Sequence, residues 1–175
     1  MKGFTLIELL IVIAILAILA TATVLVLNPA QLLAQARDSQ RISDLSNVKS
    51  AIGLYLATAD SPSMVASSTC TVAVCASGVA CLVGGAAPGR ITASTAVDGT
   101  GWVVVNLGGT SGGSSLGALP LDPSQTAAFS YAYSGVTTST FKLCGVLEST
   151  KYIPLMTSDG GRSDTAYEVG TNLAL

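Results

Sequence analysis

From Phe4 to Leu27 the chain carries one charge, Glu8, and is otherwise apolar apart from Thr5, Thr21 and Thr23. Such a run is predicted to be a helix: at about 1.5 Å per residue, about 24 residues reach about 36 Å, enough to cross a bilayer core with some tilt. A carboxylate at that depth costs about 2.5–3.5 kcal/mol, so Glu8 needs a partner or a purpose. The nearest cation along the chain is Lys2. Two ordinary readings compete. One is a secretory signal peptide with Met1-Lys2 as its basic start and Ala20-Thr21-Ala22 as its cleavage site; such apolar regions rarely hold an acid, and this one runs past that site to Leu27. The other is a plain single-span anchor with Glu8 reaching for the headgroups. It explains the span but not the spacing of Gly3, Phe4 and Glu8.

Lys2, Gly3, Phe4, Glu8 and the apolar stretch Leu9–Leu27 together resemble the class III signal of the type IV pilin family. The resemblance implies cleavage by a prepilin peptidase between Gly3 and Phe4, N-methylation of Phe4, and a role for Glu8, then fifth in the mature chain, in assembly and register. The partner it implies for Glu8 is the Phe4 ammonium of a neighbouring subunit.

The 175 residues suffice for one span and one modest domain. Charged residues make up 10% and the net charge is −2, so no basic face is present to recruit nucleic acid through its phosphates. The absence of histidine removes Ser-His-Asp and Cys-His nucleophile systems and histidine-ligated metals. The paired glycines at Gly84-Gly85, Gly108-Gly109, Gly112-Gly113 and Gly160-Gly161 are not followed by Lys-Ser or Lys-Thr, so no phosphate-binding loop is spelled. The chain is accordingly read as no enzyme. Its cysteines, Cys70, Cys75, Cys81 and Cys144, are even in number, which in an exported chain suggests two disulfides with three connectivities open. A Cys₄ zinc site around Cys70-x₄-Cys75 and buried free thiols are the alternatives.

Along the chain, residues 1–3 form the leader, 4–27 the transmembrane and assembly helix, and 28–60 an amphipathic helix. Asn28-Pro29 should bend or loosen the join. Leu45, Val48, Ile52, Tyr55 and Ala59 recur at spacings of three and four, one apolar stripe that would seat a head on the helix. Arg37, Asp38, Arg41, Asp44 and Lys49 are placed mostly on other faces. Asp60-Ser61-Pro62 ends the helix. Residues 61–101 read as a variable loop stapled by its cysteines. Residues 102–175 read as an antiparallel sheet head with a C-terminal loop: a strand at Trp102–Leu107, a Gly/Ser turn at 108–117, and a hairpin from Phe129–Tyr133 and Phe141–Glu148 with its turn at Gly135–Ser139. The fold class is α+β, one long N-terminal helix packed on a small antiparallel sheet.

The order Leu119-Pro120-Leu121-Asp122-Pro123, Phe129–Tyr133, Phe141–Glu148, then Asp159–Asp164 and Tyr167–Gly170, resembles the head of the major pseudopilins of type II secretion. In many of those proteins the C-terminal loop binds calcium. The resemblance therefore makes Asp159 and Asp164 candidate calcium ligands, against a plain Gly-Asp turn; no EF-hand spacing is present. Three functions stay open: a pilus subunit for adhesion, motility or DNA uptake; a major pseudopilin; and, in a different class, a membrane-tethered surface domain that never polymerises. For the first two the implied partners are further copies of the chain, the prepilin peptidase, an assembly platform with its ATPase, and lipid before assembly. The implied location is the inner membrane and then an extracellular filament or pseudopilus.

Overall fold

The computed structural model describes residues 3–64, 66–71, 89–126, 128–136 and 139–175, the side chains at 22 and 24–27 excepted. In chain order the elements are α1 (Leu6–Leu27), α2 (Pro29–Thr58), β1 (Ser67–Cys70), β2 (Arg90–Ile91), a 3₁₀ turn at Leu107–Gly109, β3 (Ala132–Val136), β4 (Thr140–Gly145), α3 (Leu155–Ser158) and β5 (Tyr167–Gly170). The class is α+β, as expected.

The two long helices part at Asn28, which lies in the left-handed region (φ 39°, ψ 79°). The cause is local. Pro29 crowds its predecessor out of right-handed helical backbone. Asparagine is one of the few residues besides glycine that accept the left-handed region. Proline's fixed φ and missing N–H then suit the first position of α2, and Asn28 O receives the first bond of that helix from Gln31 N at 2.9 Å. The expected bend is thus a break, one residue before the proline. Among the described residues no helix is long and apolar enough to cross a membrane.

One side of α2 is buried against the sheet. Leu45, Val48, Ala51, Ile52 and Tyr55 meet Trp102, Val103, Val105, Leu119, Tyr131, Tyr133, Phe141 and Leu143 in one core. The expected stripe holds except at Ala59, which is only partly buried beyond the helix end at Thr58.

The strand order is β2-β1-β3-β4-β5, with β1–β2 parallel and the other pairings antiparallel. The expected hairpin is present, but β3 starts at Ala132 and runs through Gly135, placed beforehand in the turn. Register puts Tyr133 opposite Leu143 and Leu143 opposite Val169, on the face toward α2. By strand alternation Cys70, Ala132, Cys144, Lys142 and Glu168 lie on the opposite face.

Three sequence expectations are corrected. Residues 61–101 are more than a loop, because β1 and β2 form one side of the sheet. Trp102–Leu107 is not a strand. Its apolar residues fill the core, but its backbone bonds to the preceding segment, Trp102 N to Ser94 O at 3.1 Å and Leu107 N to Val97 O at 2.8 Å. A short apolar run signals burial rather than pairing. Finally, Tyr167–Gly170 is the strand β5 and not part of a terminal loop.

Candidate functional site

The start of α1 is a capping box. Thr5 is the N-cap; its Oγ1 accepts from Glu8 N at 3.3 Å, and Glu8 Oε2 accepts from Thr5 N at 2.9 Å and from Thr5 Oγ1 at 2.7 Å. Two of the helix's orphan N–H groups are satisfied reciprocally, and the carboxylate sits at the positive end of the helix dipole. The structure therefore gives Glu8 a partner within its own chain. The signal was legible as Thr5-x-x-Glu8 ahead of an apolar run; Thr5 was not singled out. Gly3, Phe4 and Glu8 are all exposed, Phe4 at 77%. Every described α1 side chain is likewise exposed, so the apolar surface is uncovered on all sides.

At the other end of the stalk, α2 is fastened to the head by charges that the sequence places mostly off the apolar stripe. Asp38 and Arg41 are fully buried. The five N–H donors of Arg41 are all engaged: Nε with Asp122 Oδ2 at 2.7 Å, Nη1 with Asp38 Oδ1 at 2.8 Å and Glu148 Oε1 at 2.7 Å, Nη2 with Asp122 Oδ1 and Ser124 Oγ at 3.1 Å each. The Phe129 ring covers the guanidinium at 4.6 Å. Asp38 also accepts from the backbone N–H groups of Glu148 and Ser149. Arg37 grips Glu148 from outside with two bonds, at 2.6 and 2.9 Å. Burial works against the charge on Arg41, but the bonds to Asp122 and Glu148 outweigh it and raise its pKa. The Arg37 hydrogen bonds lead those that hold Glu148 down, at about 2. Asp44 accepts from Tyr131 Oη at 2.9 Å, and burial pushes it up.

Periodicity could have found the clamp. Ala34, Asp38, Arg41, Leu45, Val48, Ile52 and Tyr55 step by four and three in turn, so Asp38 and Arg41 continue the buried stripe in phase. Asp122 and Glu148 were not legible as partners, because they come from segments remote in sequence.

Cys70 and Cys144 are disulfide-bonded, which sets aside the zinc and free-thiol readings for them. Cys75 and Cys81 lie outside the described residues. Cys70 and Cys144 both register with Ala132 from opposite sides of β3. Two strand spacings amount to about 9–10 Å, beyond the ~7 Å Cα reach of a disulfide. Of the three connectivities, the one that joins Cys70 to Cys144 is excluded. Peptide mapping without reduction should find Cys70 and Cys144 in separate bridges; a Cys70–Cys144 peptide would contradict the strand order.

Asp159 and Asp164, the expected metal ligands, differ in their surroundings. Asp159 Oδ1 accepts from Gly161 N and Oδ2 from Glu168 N, both at 2.7 Å, while Asp164 is exposed. Among the described residues no group of three His, Cys, Asp or Glu side chains is placed to hold a metal ion.

A charged cap opens an apolar helix, and a second helix is seated on a small, mostly antiparallel head. The prokaryotic N-terminal methylation motif matches residues 1–24, which supports a pilin-like or pseudopilin-like reading and the processing of a precursor. No curated protein and no solved structure matches the chain.

Proposed function

We propose that the chain is a structural subunit of a type IV filament, stored in the inner membrane by α1 and polymerised through it into an extracellular pilus. The observation that carries this reading is the uncovered α1: apart from Glu8, Thr21 and Thr23 its described side chains are apolar, they face every side, and none is buried against the head. A helix of that kind is stable only when surrounded by lipid or by other apolar helices. Bundling α1 from many copies supplies the second environment as the first is left behind. In the bundle Glu8 gains a second partner, the Phe4 ammonium of a neighbouring copy, and in a low-dielectric core that pairing fixes axial register. The prepilin peptidase, an assembly platform and its ATPase are the partners this mechanism requires. One observation favours a second reading, the major pseudopilin: Asp122 of the Pro120-Leu121-Asp122-Pro123 segment is built into the buried clamp on α2.

Intact-mass measurement of protein sheared from the cell surface tests the proposal. The expected mass lacks Met1–Gly3 and carries one added methyl group. A chain starting after Ala22 would identify an ordinary signal peptide. Processed protein confined to the membrane fraction, with none sheared, would identify a tether that does not polymerise.

A further inference from the structure

The C-terminal loop already contains a cation, and it is a side chain. Lys142 projects from β4 on the face away from α2 and is almost fully buried. Its Nζ lies 2.8 Å from Glu168 Oε1, an ion pair not aligned as a hydrogen bond, and it donates to the backbone carbonyl of Leu175. Glu168 is buried too, and its Oε2 accepts from Ser163 N at 3.1 Å. A Cβ at position 161 would collide with the Glu168 carboxylate, so glycine there is what lets the loop close over it. Asp159 completes the arrangement by holding the N–H groups of Gly161 and Glu168.

Calcium does not fit this site. It takes six to eight oxygens at about 2.3–2.6 Å. The carboxylate oxygens here already face an ammonium and three backbone N–H groups. A divalent ion beside Glu168 would meet the buried ammonium at close range, and like charges in a poorly solvated place repel strongly. Asp164, the other carboxylate expected to help, is exposed.

We propose that Lys142 supplies the cation of the C-terminal loop from within the chain, tying β5 and the residues around Leu175 to β4, and that the loop takes no calcium. Diagonal cross-strand placement makes the pair possible: Cys144 registers with Glu168, and Lys142 is two residues along β4 from Cys144.

Thermal melting of the full-length chain in detergent tests this. The native midpoint should be the same in excess calcium and in excess chelator, since a ligand held only by the folded state would raise it. Lys142→Met leaves Glu168 buried without its counter-charge and should lower the midpoint by roughly 10 °C. Lys151→Met, at an exposed lysine, should leave it unchanged. A calcium-dependent rise in the native midpoint that Asp159→Asn removes would overturn the proposal, as would a Lys142→Met chain melting with the native one. Should Lys142→Met fail to fold, native mass spectrometry of the unaltered chain decides alone. Calcium-free protein supports the internal cation, and one calcium bound per chain and lost in Asp159→Asn refutes it.

Discussion

Arg41→Met is expected to lower the melting midpoint of the head by roughly 10 °C or more. The substitution keeps most of the side-chain volume but strips Asp38, Asp122 and Glu148 of the guanidinium they share. Asp38 and Asp122 are fully buried. Removing one partner of a buried pair leaves uncompensated charge and costs about 3–5 kcal/mol, far more than the net worth of the intact pair. Arg37→Met provides the contrast. Arg37 binds the same Glu148, but its side chain is 37% exposed, and pairs of that kind contribute about 0.2–1 kcal/mol. Equal small losses in the two variants would mean that Arg41 does not organise the joint. The same network sets the acid limit. Glu148 sits at about 2 in the folded head against an ordinary 4.5. A carboxyl whose folded pKa is depressed contributes stability that is complete above the ordinary value and is lost as pH falls through the folded one. The midpoint should therefore fall between pH 4.5 and about 2. Asp44, raised by burial, acts in the opposite sense, gaining as it takes a proton.

Glu8→Ala is expected to abolish surface filaments while leaving the precursor in the membrane. The change removes a costly charge from the apolar helix, so insertion becomes easier. It also deletes the capping box that begins α1, and in the bundle it leaves the neighbouring Phe4 ammonium without a partner. Removing one partner of a buried pair costs about 3–5 kcal/mol, and each ~1.4 kcal/mol is tenfold in an equilibrium constant, so filament yield should fall at least about a hundredfold. Two further variants separate the cap from the charge. Glu8→Gln keeps a residue able to serve the box but removes the charge, and it should lose filaments as Glu8→Ala does. Thr5→Ala weakens the cap and keeps the charge, and it should retain filaments. Abundant filaments from Glu8→Gln would assign Glu8 to capping alone and end the register argument. Sheared yield, set against membrane-bound precursor on the same immunoblot, reads all three.

What the sequence determined by itself is local. The helix over Leu6–Leu27 follows from apolar continuity, the capping box from Thr5 and Glu8 three residues apart, and the break at Asn28 from the proline after it. The seat of the head follows from a stripe recurring at three and four from Leu45 to Tyr55. The β3–β4 hairpin was legible because alternation and a turn lie within one short stretch. Each of these depends on interactions between residues a few positions apart, which a sequence displays directly.

Tertiary structure alone decided what depends on neighbours brought from afar. Asp38 and Arg41 look like surface charges until Asp122 and Glu148 arrive from beyond the core to pair with Arg41. Trp102–Leu107 spells a strand but bonds to Ser94 and Val97 instead, because burial rewards apolar residues whatever their backbone does. β1 and β2 carry almost no strand signal, and they exist because β3 offers β1 an unpaired edge. The same remoteness governs Lys142, which reads as an outward-facing lysine in a strand. Its burial is decided by Glu168 and the carbonyl of Leu175, and the free energy of a charge depends on what surrounds it rather than on its place in the chain.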